Sequence, residues 1–147
     1  MKKKIAILGS TGSIGKSLID IIRKKKNNYK IVLLSANKNC YELMKQAEEF
    51  NVKNIIISDL NNYNKIKKDI KYKDKNIFKD FSFFKKIFKK KIDYTMSSII
   101  GIDGLQPSLE IIKYTKIIAI ANKESIICGW NLLDKELKKN NTKFIPV

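Results

Sequence analysis

Gly9, Gly12 and Gly15 recur at every third residue, directly after the apolar run Ile5-Ala6-Ile7-Leu8 and directly before a stretch with helical spacing. Glycines placed in this way suit one task, holding a pyrophosphate. Gly9 can take the backbone angles of a tight turn leaving a strand, Gly12 lets main chain approach phosphate oxygens without a Cβ, and Gly15 lets a helix pack close to the strand. The N–H groups at the helix start then face the anion, aided by the positive end of the helix dipole. Thr11, Ser13 and Ile14 complete the loop.

A rival phosphate loop shares part of this segment, since Gly15-Lys16-Ser17 matches the end of the G-x-x-x-x-G-K-[ST] pattern of nucleoside triphosphatases. Ser10 stands where that pattern needs its first glycine, and no apolar strand ending in a magnesium-holding Asp follows. The dinucleotide reading is the better one. An NAD site wants an acidic residue about twenty residues after the glycines to hold the ribose 2′-hydroxyl. Here the second apolar run, 31–34, exits through Ser35-Ala36-Asn37-Lys38-Asn39 with no acid. Lys38 stands where a 2′-phosphate would lie, which favours NADPH; it also reads as one more surface lysine in a lysine-rich chain.

A second polar group ends another apolar run: Ile117-Ile118-Ala119-Ile120-Ala121 leads into Asn122-Lys123-Glu124-Ser125. In open α/β sheets, ligands bind at the carboxyl ends of strands. The plainer reading is that Ser125 and Glu124 cap the following helix. The chain contains no histidine, so any acid–base chemistry would fall to Lys, Glu, Asp or Tyr. Asp59, Asp69, Asp74 and Asp80 are scattered without ligand spacing, and no metal site is expected within residues 1–147.

These groups must be positioned by alternating strands and helices. Strands are predicted at 3–8, 30–35, 54–58, 93–99, 116–121 and 143–147, and helices near 13–26, 40–50, 104–115 and 124–140. The first helix is expected to turn Leu18, Ile21 and Ile22 to one face. Pro107 suits the first turn of the helix after Gly101 and Gly104. Residues 61–91 are the least decided part; Phe81, Phe84, Ile87 and Phe88 have the spacing of an apolar helix face. The fold class is α/β, a Rossmann-like doubly wound, mostly parallel sheet in a single domain.

Composition bounds the function. A chain of 147 residues with 44% apolar residues builds one core. The formal net charge of +17 would attract polyanions, but Arg23 is the single arginine among 31 basic residues and the lysines are diffuse, so no specific nucleic-acid role is expected. Neither a membrane span nor a signal or transit peptide is expected, and Cys40 and Cys128 lack disulfide or metal spacing. A cytoplasmic setting follows.

G-S-T-G-S-I-G at 9–15, A-N-K-N at 36–39, S-S-I-I-G-I-D-G-L-Q-P-S at 97–108, I-A-N-K-E-S-I-I-C-G at 120–129 and I-P-V at 145–147 together resemble the 1-deoxy-D-xylulose 5-phosphate reductoisomerase family. The resemblance covers essentially the whole chain and is weakest over 61–91. It implies an NADPH-dependent, metal-assisted (Mg or Mn) enzyme of non-mevalonate isoprenoid biosynthesis, a homodimer when full length. Thr11, Gly12, Ser13 and Ile14 match its phosphate-binding loop, beside the turn at Gly9. Lys38 and Asn39 match its A-G-K-N segment for the 2′-phosphate, with Asn37 in place of glycine and able to tolerate a positive φ. Asn122 and Glu124 match cofactor-contacting positions, and Lys123 matches a substrate-binding lysine. The resemblance places the family's metal ligands and its catalytic and C-terminal domains beyond Val147, so residues 1–147 are expected to be the NADPH-binding domain, binding cofactor without turnover. The alternative is a stand-alone dinucleotide-binding sensor or interaction module.

Overall fold

The computed structural model describes residues 1–147. Seven strands form one sheet: β1 (Lys3–Leu8), β2 (Tyr29–Ala36), β3 (Asn54–Ile57), β4 (Asn76–Phe78), β5 (Ile92–Ser97), β6 (Thr115–Ile120) and β7 (Lys143–Pro146). Their order is β4-β3-β2-β1-β5-β6-β7, with every neighbouring pair parallel. Parallel neighbours require crossover connections, which the helices supply on both faces. These are α1 (Ser13–Lys24), α2 (Cys40–Glu49), α3 (Leu60–Lys68), α4 (Phe84–Ile87), α5 (Leu105–Ile111) and α6 (Lys123–Asn140).

Strand alternation divides the core in two. Ile5 and Ile7 point to one face and pack with Ile19 and Ile22 of α1 and Leu43, Met44 and Ala47 of α2. Ala6 and Leu8 point to the other and pack with Phe84, Ile111, Ile112, Leu133 and Leu137. Both faces of β1 are covered from Ile5 onward, and its sequence from Ile5 to Leu8 is an unbroken apolar run. β1 is also where the strand order reverses: β2 lies on one side of it and β5 on the other. The carboxyl ends of Leu8, Ala36 and Ser97 therefore gather around one gap, and the chain leaves each of them into a different loop.

Two local expectations are corrected. The buried face of α1 is Gly15, Ile19 and Ile22, with Leu18 partly buried beside it; Ile21 is 53% exposed. Stepping by four and three residues from Gly15 selects Ile19 and Ile22, and Ile21 falls two residues from Ile19, on the far side of the helix. The expected helix over 104–115 is shorter, α5 being followed by a 3₁₀ turn at Ile112–Tyr114.

Residues 61–91 contain an extra strand. α3 starts at Asp59, whose carboxylate accepts from Asn62 N at 3.0 Å, and β4 then pairs with β3 through the register Ile55↔Ile77. The phenylalanines do face the core, yet only as a 3₁₀ turn (Phe81–Phe83) and the single-turn α4; Phe84 and Phe88 are buried, while Phe81 and Ile87 are partly so. No helix is long and apolar enough to cross a membrane.

Candidate dinucleotide site

The turn after β1 is shaped by contacts from three other elements. Gly9 has φ +79°, a left-handed conformation, and a Cβ there would fall 2.9 Å from Ser98 O. Its N–H donates to Ser35 Oγ at 3.0 Å, and Ser98 Oγ donates to Leu8 O at 2.9 Å and to Gly9 O at 3.1 Å. Buried Ser10 donates from its N–H to Ser35 O at 2.9 Å, while its carbonyl accepts from Gln46 Nε2 at 3.1 Å. A Cβ on Gly15 would lie 2.6 Å from Ser10 Cα, so this residue sets the approach of α1 to the turn.

Gly12 differs from both. It is the N-cap of α1 with φ −76° and ψ 174°, angles open to any residue, and a Cβ there would meet only Gly9 O at 3.7 Å. No side chain caps α1 and no acid occupies its first turn. The first N–H groups of a helix have no intrahelical partner, so this end presents donors and a positive partial charge. The space above Gly12 is open.

That space is a cleft of about 880 Å³, bordered by Gly9, Thr11, Gly12, Ser35, Asn37 and Ser58 on the β1–β3 side. A smaller pocket of about 140 Å³ adjoins it at Gly12, Ser98, Ile99 and Ile100, and is bordered further by Ser13, Ile14, Asn122 and Glu124. Gly9, Thr11, Gly12, Ser13, Ile14, Asn37, Asn122 and Glu124 thus come together around one connected groove. Lys38, Asn39 and Lys123 border neither part; all three are exposed at its margins.

The β2–α2 loop is held more lightly. Asn37 is outside the left-handed region, so its tolerance of a positive φ is not called on; its amide donates to Ser58 Oγ at 2.9 Å. Asn39 caps α2 by accepting from Glu42 N at 3.3 Å, and Lys38 O accepts from Asn62 Nδ2 at 3.4 Å. Burial pushes the thiol of Cys40, the first residue of α2, above its ordinary pKa.

The residue that caps α6 is Asn122, not Ser125 or Glu124. Its Oδ1 accepts from Ser125 N at 3.1 Å, and its Nδ2 donates to Ile99 O at 2.6 Å and to Gly101 O. Asn122 therefore ties the loop after β5 to the start of α6. Gly104 makes room for it, since a Cβ there would fall 2.6 Å from Asn122 Nδ2.

Sequence reasoning passed over Ser35, Ser98, Gln46 and Ser58. The signal for three of them was available: a serine at or just beyond the carboxyl end of a strand. No group of three or more His, Cys, Asp or Glu side chains comes close enough to hold a metal ion.

A parallel sheet with a reversal point, a glycine turn at that point and an uncapped helix start beside it define the class: a Rossmann-like α/β domain. The family model described as 1-deoxy-D-xylulose 5-phosphate reductoisomerase matches residues 5–129, and the chain belongs to that family. It is 56% identical over 147 residues to the 1-deoxy-D-xylulose 5-phosphate reductoisomerase of Pelagibacter ubique (strain HTCC1062), covering 99% of this chain and 38% of that one. The enzyme from Zymomonas mobilis, solved in complex with NADPH, superposes with a TM-score of 0.88 at 30% identity over 99% of this chain and 38% of that chain. A reductoisomerase solved with NADPH, fosmidomycin and magnesium has a TM-score of 0.88 at 31% identity, over 98% of this chain and 36% of that one. The chain spans a little over a third of the length of the relatives it matches.

Proposed function

We propose that residues 1–147 are an NADPH-binding domain and contribute the cofactor half of a reductoisomerase that converts 1-deoxy-D-xylulose 5-phosphate to 2-C-methyl-D-erythritol 4-phosphate in non-mevalonate isoprenoid biosynthesis. The observation that carries this reading is the open cradle at Gly12. It has an uncapped helix start, a braced turn and a position where a side chain would fill ligand space without touching the core.

In this reading the pyrophosphate lies against Thr11, Gly12, Ser13 and Ile14, with Gly9 setting the turn. The 2′-phosphate lies at Asn37, Lys38 and Asn39, where the exposed Lys38 ammonium moves in from the margin; its backbone carbonyl accepts from Cys40 N at 2.9 Å and from Asn62 Nδ2 at 3.4 Å. The nicotinamide end occupies the smaller pocket beside Glu124. Asn122 positions that pocket, both of its amide hydrogens being given to loop carbonyls. Lys123, exposed at the head of α6, reaches toward the sugar phosphate. NADPH, when bound, supplies the hydride that reduces the rearranged substrate; the chain's own residues orient the dinucleotide and present its nicotinamide at the mouth of the groove.

No side-chain set here fits a divalent metal, so no step is derived through one. The Mg or Mn of the whole enzyme is assigned to portions of the relatives outside the matched residues, and the whole enzyme is read as a homodimer. Isothermal titration of the chain with NADPH and NADH tests the cofactor reading: a preference for NADPH above about tenfold is expected, from a charge-assisted phosphate contact worth roughly 1.5–3 kcal/mol. Equal affinities sink it. Metal-dependent NADPH oxidation with 1-deoxy-D-xylulose 5-phosphate is expected only when the chain is joined to the remaining portion of a relative, and turnover by the bare chain would place the active site elsewhere.

A further inference from the structure

The glycine cradle and Lys38 account for the phosphates of a dinucleotide but leave its base without a partner. Another stretch of the cleft wall lies outside both the glycine loop and the β2–α2 loop. It comprises Asp80, Phe81 and Ser82 from the turn after β4, and Gln106, Pro107 and Glu110 on α5.

Phe81 is fixed from two directions. Asp80 caps its turn, accepting from Ser82 N at 2.9 Å and from Ser82 Oγ at 2.5 Å. Behind it lies buried Phe84, with ring centroids 5.9 Å apart, and Phe84 is itself packed 6.0 Å from Phe88 and 6.4 Å from Tyr114. The ring is thus held in place by an aromatic cluster while part of its surface borders the cleft. On α5, Gln106 and Glu110 are one turn apart and joined by a Gln106 Nε2 to Glu110 Oε1 hydrogen bond of 3.0 Å, and exposed Lys113 forms a long ion pair with Glu110 Oε2 at 3.8 Å.

With Gln106 on Oε1 and Lys113 beyond hydrogen-bond distance of Oε2, the Glu110 carboxylate keeps acceptor capacity toward the groove, and beside a polyphosphate that capacity is best met by a hydrogen-bond donor of the ligand. Away from its ribose hydroxyls, the adenosine half of such a ligand offers one donor group, the exocyclic amine of the base. We propose that Phe81 is the stacking wall for the purine of the bound dinucleotide, and that Glu110, oriented by Gln106, accepts a hydrogen bond from the 6-amino group. This rests on the dinucleotide reading given above. Stacking accepts any flat base, whereas a carboxylate placed against the 6-position accepts from a 6-amino group and repels a 6-oxo oxygen, leaving the N1–H of the 6-oxo purine as its weaker, displaced alternative.

The test is titration of the chain with NADPH and with its hypoxanthine analogue, in which the 6-amino group is replaced by oxygen. The unsubstituted chain is expected to prefer NADPH about tenfold. Glu110→Gln should erase or reverse that preference, because a glutamine amide can donate to the 6-oxo group. Phe81→Leu, which keeps the apolar packing against Phe84, should weaken both nucleotides about tenfold, while Phe81→Tyr retains wild-type affinity. Circular dichroism and melting temperature check that each variant folds. If the unsubstituted chain binds NADPH but does not distinguish the two purines, or if Phe81→Leu binds unchanged, this assignment is overturned while the dinucleotide reading stands. Failure of the unsubstituted chain to bind NADPH overturns both.

Discussion

Two loops leave the carboxyl edge of the same sheet side by side and are built in opposite ways. The β1–α1 turn is stitched to β2 through Ser35, to α2 through Gln46 and to the end of β5 through Ser98, and it projects main chain into the cleft. The β2–α2 loop is tied to its surroundings by the Asn37–Ser58 bond and the longer Asn62–Lys38 bond, and it offers an exposed cation. The difference separates two requirements of anion recognition. Donors that must meet a fixed pyrophosphate gain from being organised in advance, while a long side chain that chooses between two cofactors gains from reach.

The contrast is sharpest inside the first loop. Gly15→Val drives a side chain into Ser10, so a loss of about 3 kcal/mol or more is expected, seen as a melting-temperature drop of roughly ten degrees. Gly12→Val, three residues earlier, should keep its melting temperature and lose nucleotide binding by more than about a hundredfold, as one would expect of a substitution that fills phosphate space rather than core. Retained affinity in that variant would reduce the cradle to a structural turn.

Moving to the second loop, Lys38→Glu is expected to weaken NADPH by about ten- to a hundredfold while leaving NADH within a few-fold, measured by calorimetry. An equal loss for both would show that Lys38 shapes the loop instead of reading a phosphate. The smallest effect lies away from both loops. Glu49 is held below the ordinary carboxylate range mainly by its hydrogen bond from Arg23, and Asp93 by those from Lys116 and the Lys4 backbone N–H. Their contribution is present above about pH 4.5, where the unfolded carboxyls are also ionised, and is lost as pH falls through and below that range. A urea midpoint that declines on acidification, and declines less in Glu49→Gln, is expected; each partly exposed pair contributes about 1 kcal/mol or less.

What could be read in advance follows the same division. The glycine turn was legible because each of its constraints falls on residue type: a left-handed angle at Gly9, an open space at Gly12, a close approach at Gly15. Most strands were legible as apolar runs. β4 was not, because a three-residue edge strand needs only Ile77 in the core and is too short to show a period. The role of Asn122 was hidden for another reason. Its amide bonds reach back to Ile99 and Gly101, and partners more than twenty residues away leave no local pattern. Lys38 and Asn39 were singled out by motif, yet their side chains lie outside the walls of the groove, since a motif records neighbours in sequence and not where a flexible side chain rests.

The position of β1 carries a consequence for how the domain holds together. It is the first strand in the chain and the middle one in the sheet, so the polypeptide lays down one wing through β4 and then returns to lay down the other from β5 to β7. The groove runs along the seam, touching Asn37 and Ser58 on one wing and Ile99 and Asp103 on the other. A molecule seated there works like a dowel across a joint: pulling the wings apart also means expelling it, which adds about 2.7 kcal/mol when it is present at a hundred times its dissociation constant. Saturation would therefore slow amide exchange in both wings together, including strands that never touch the ligand.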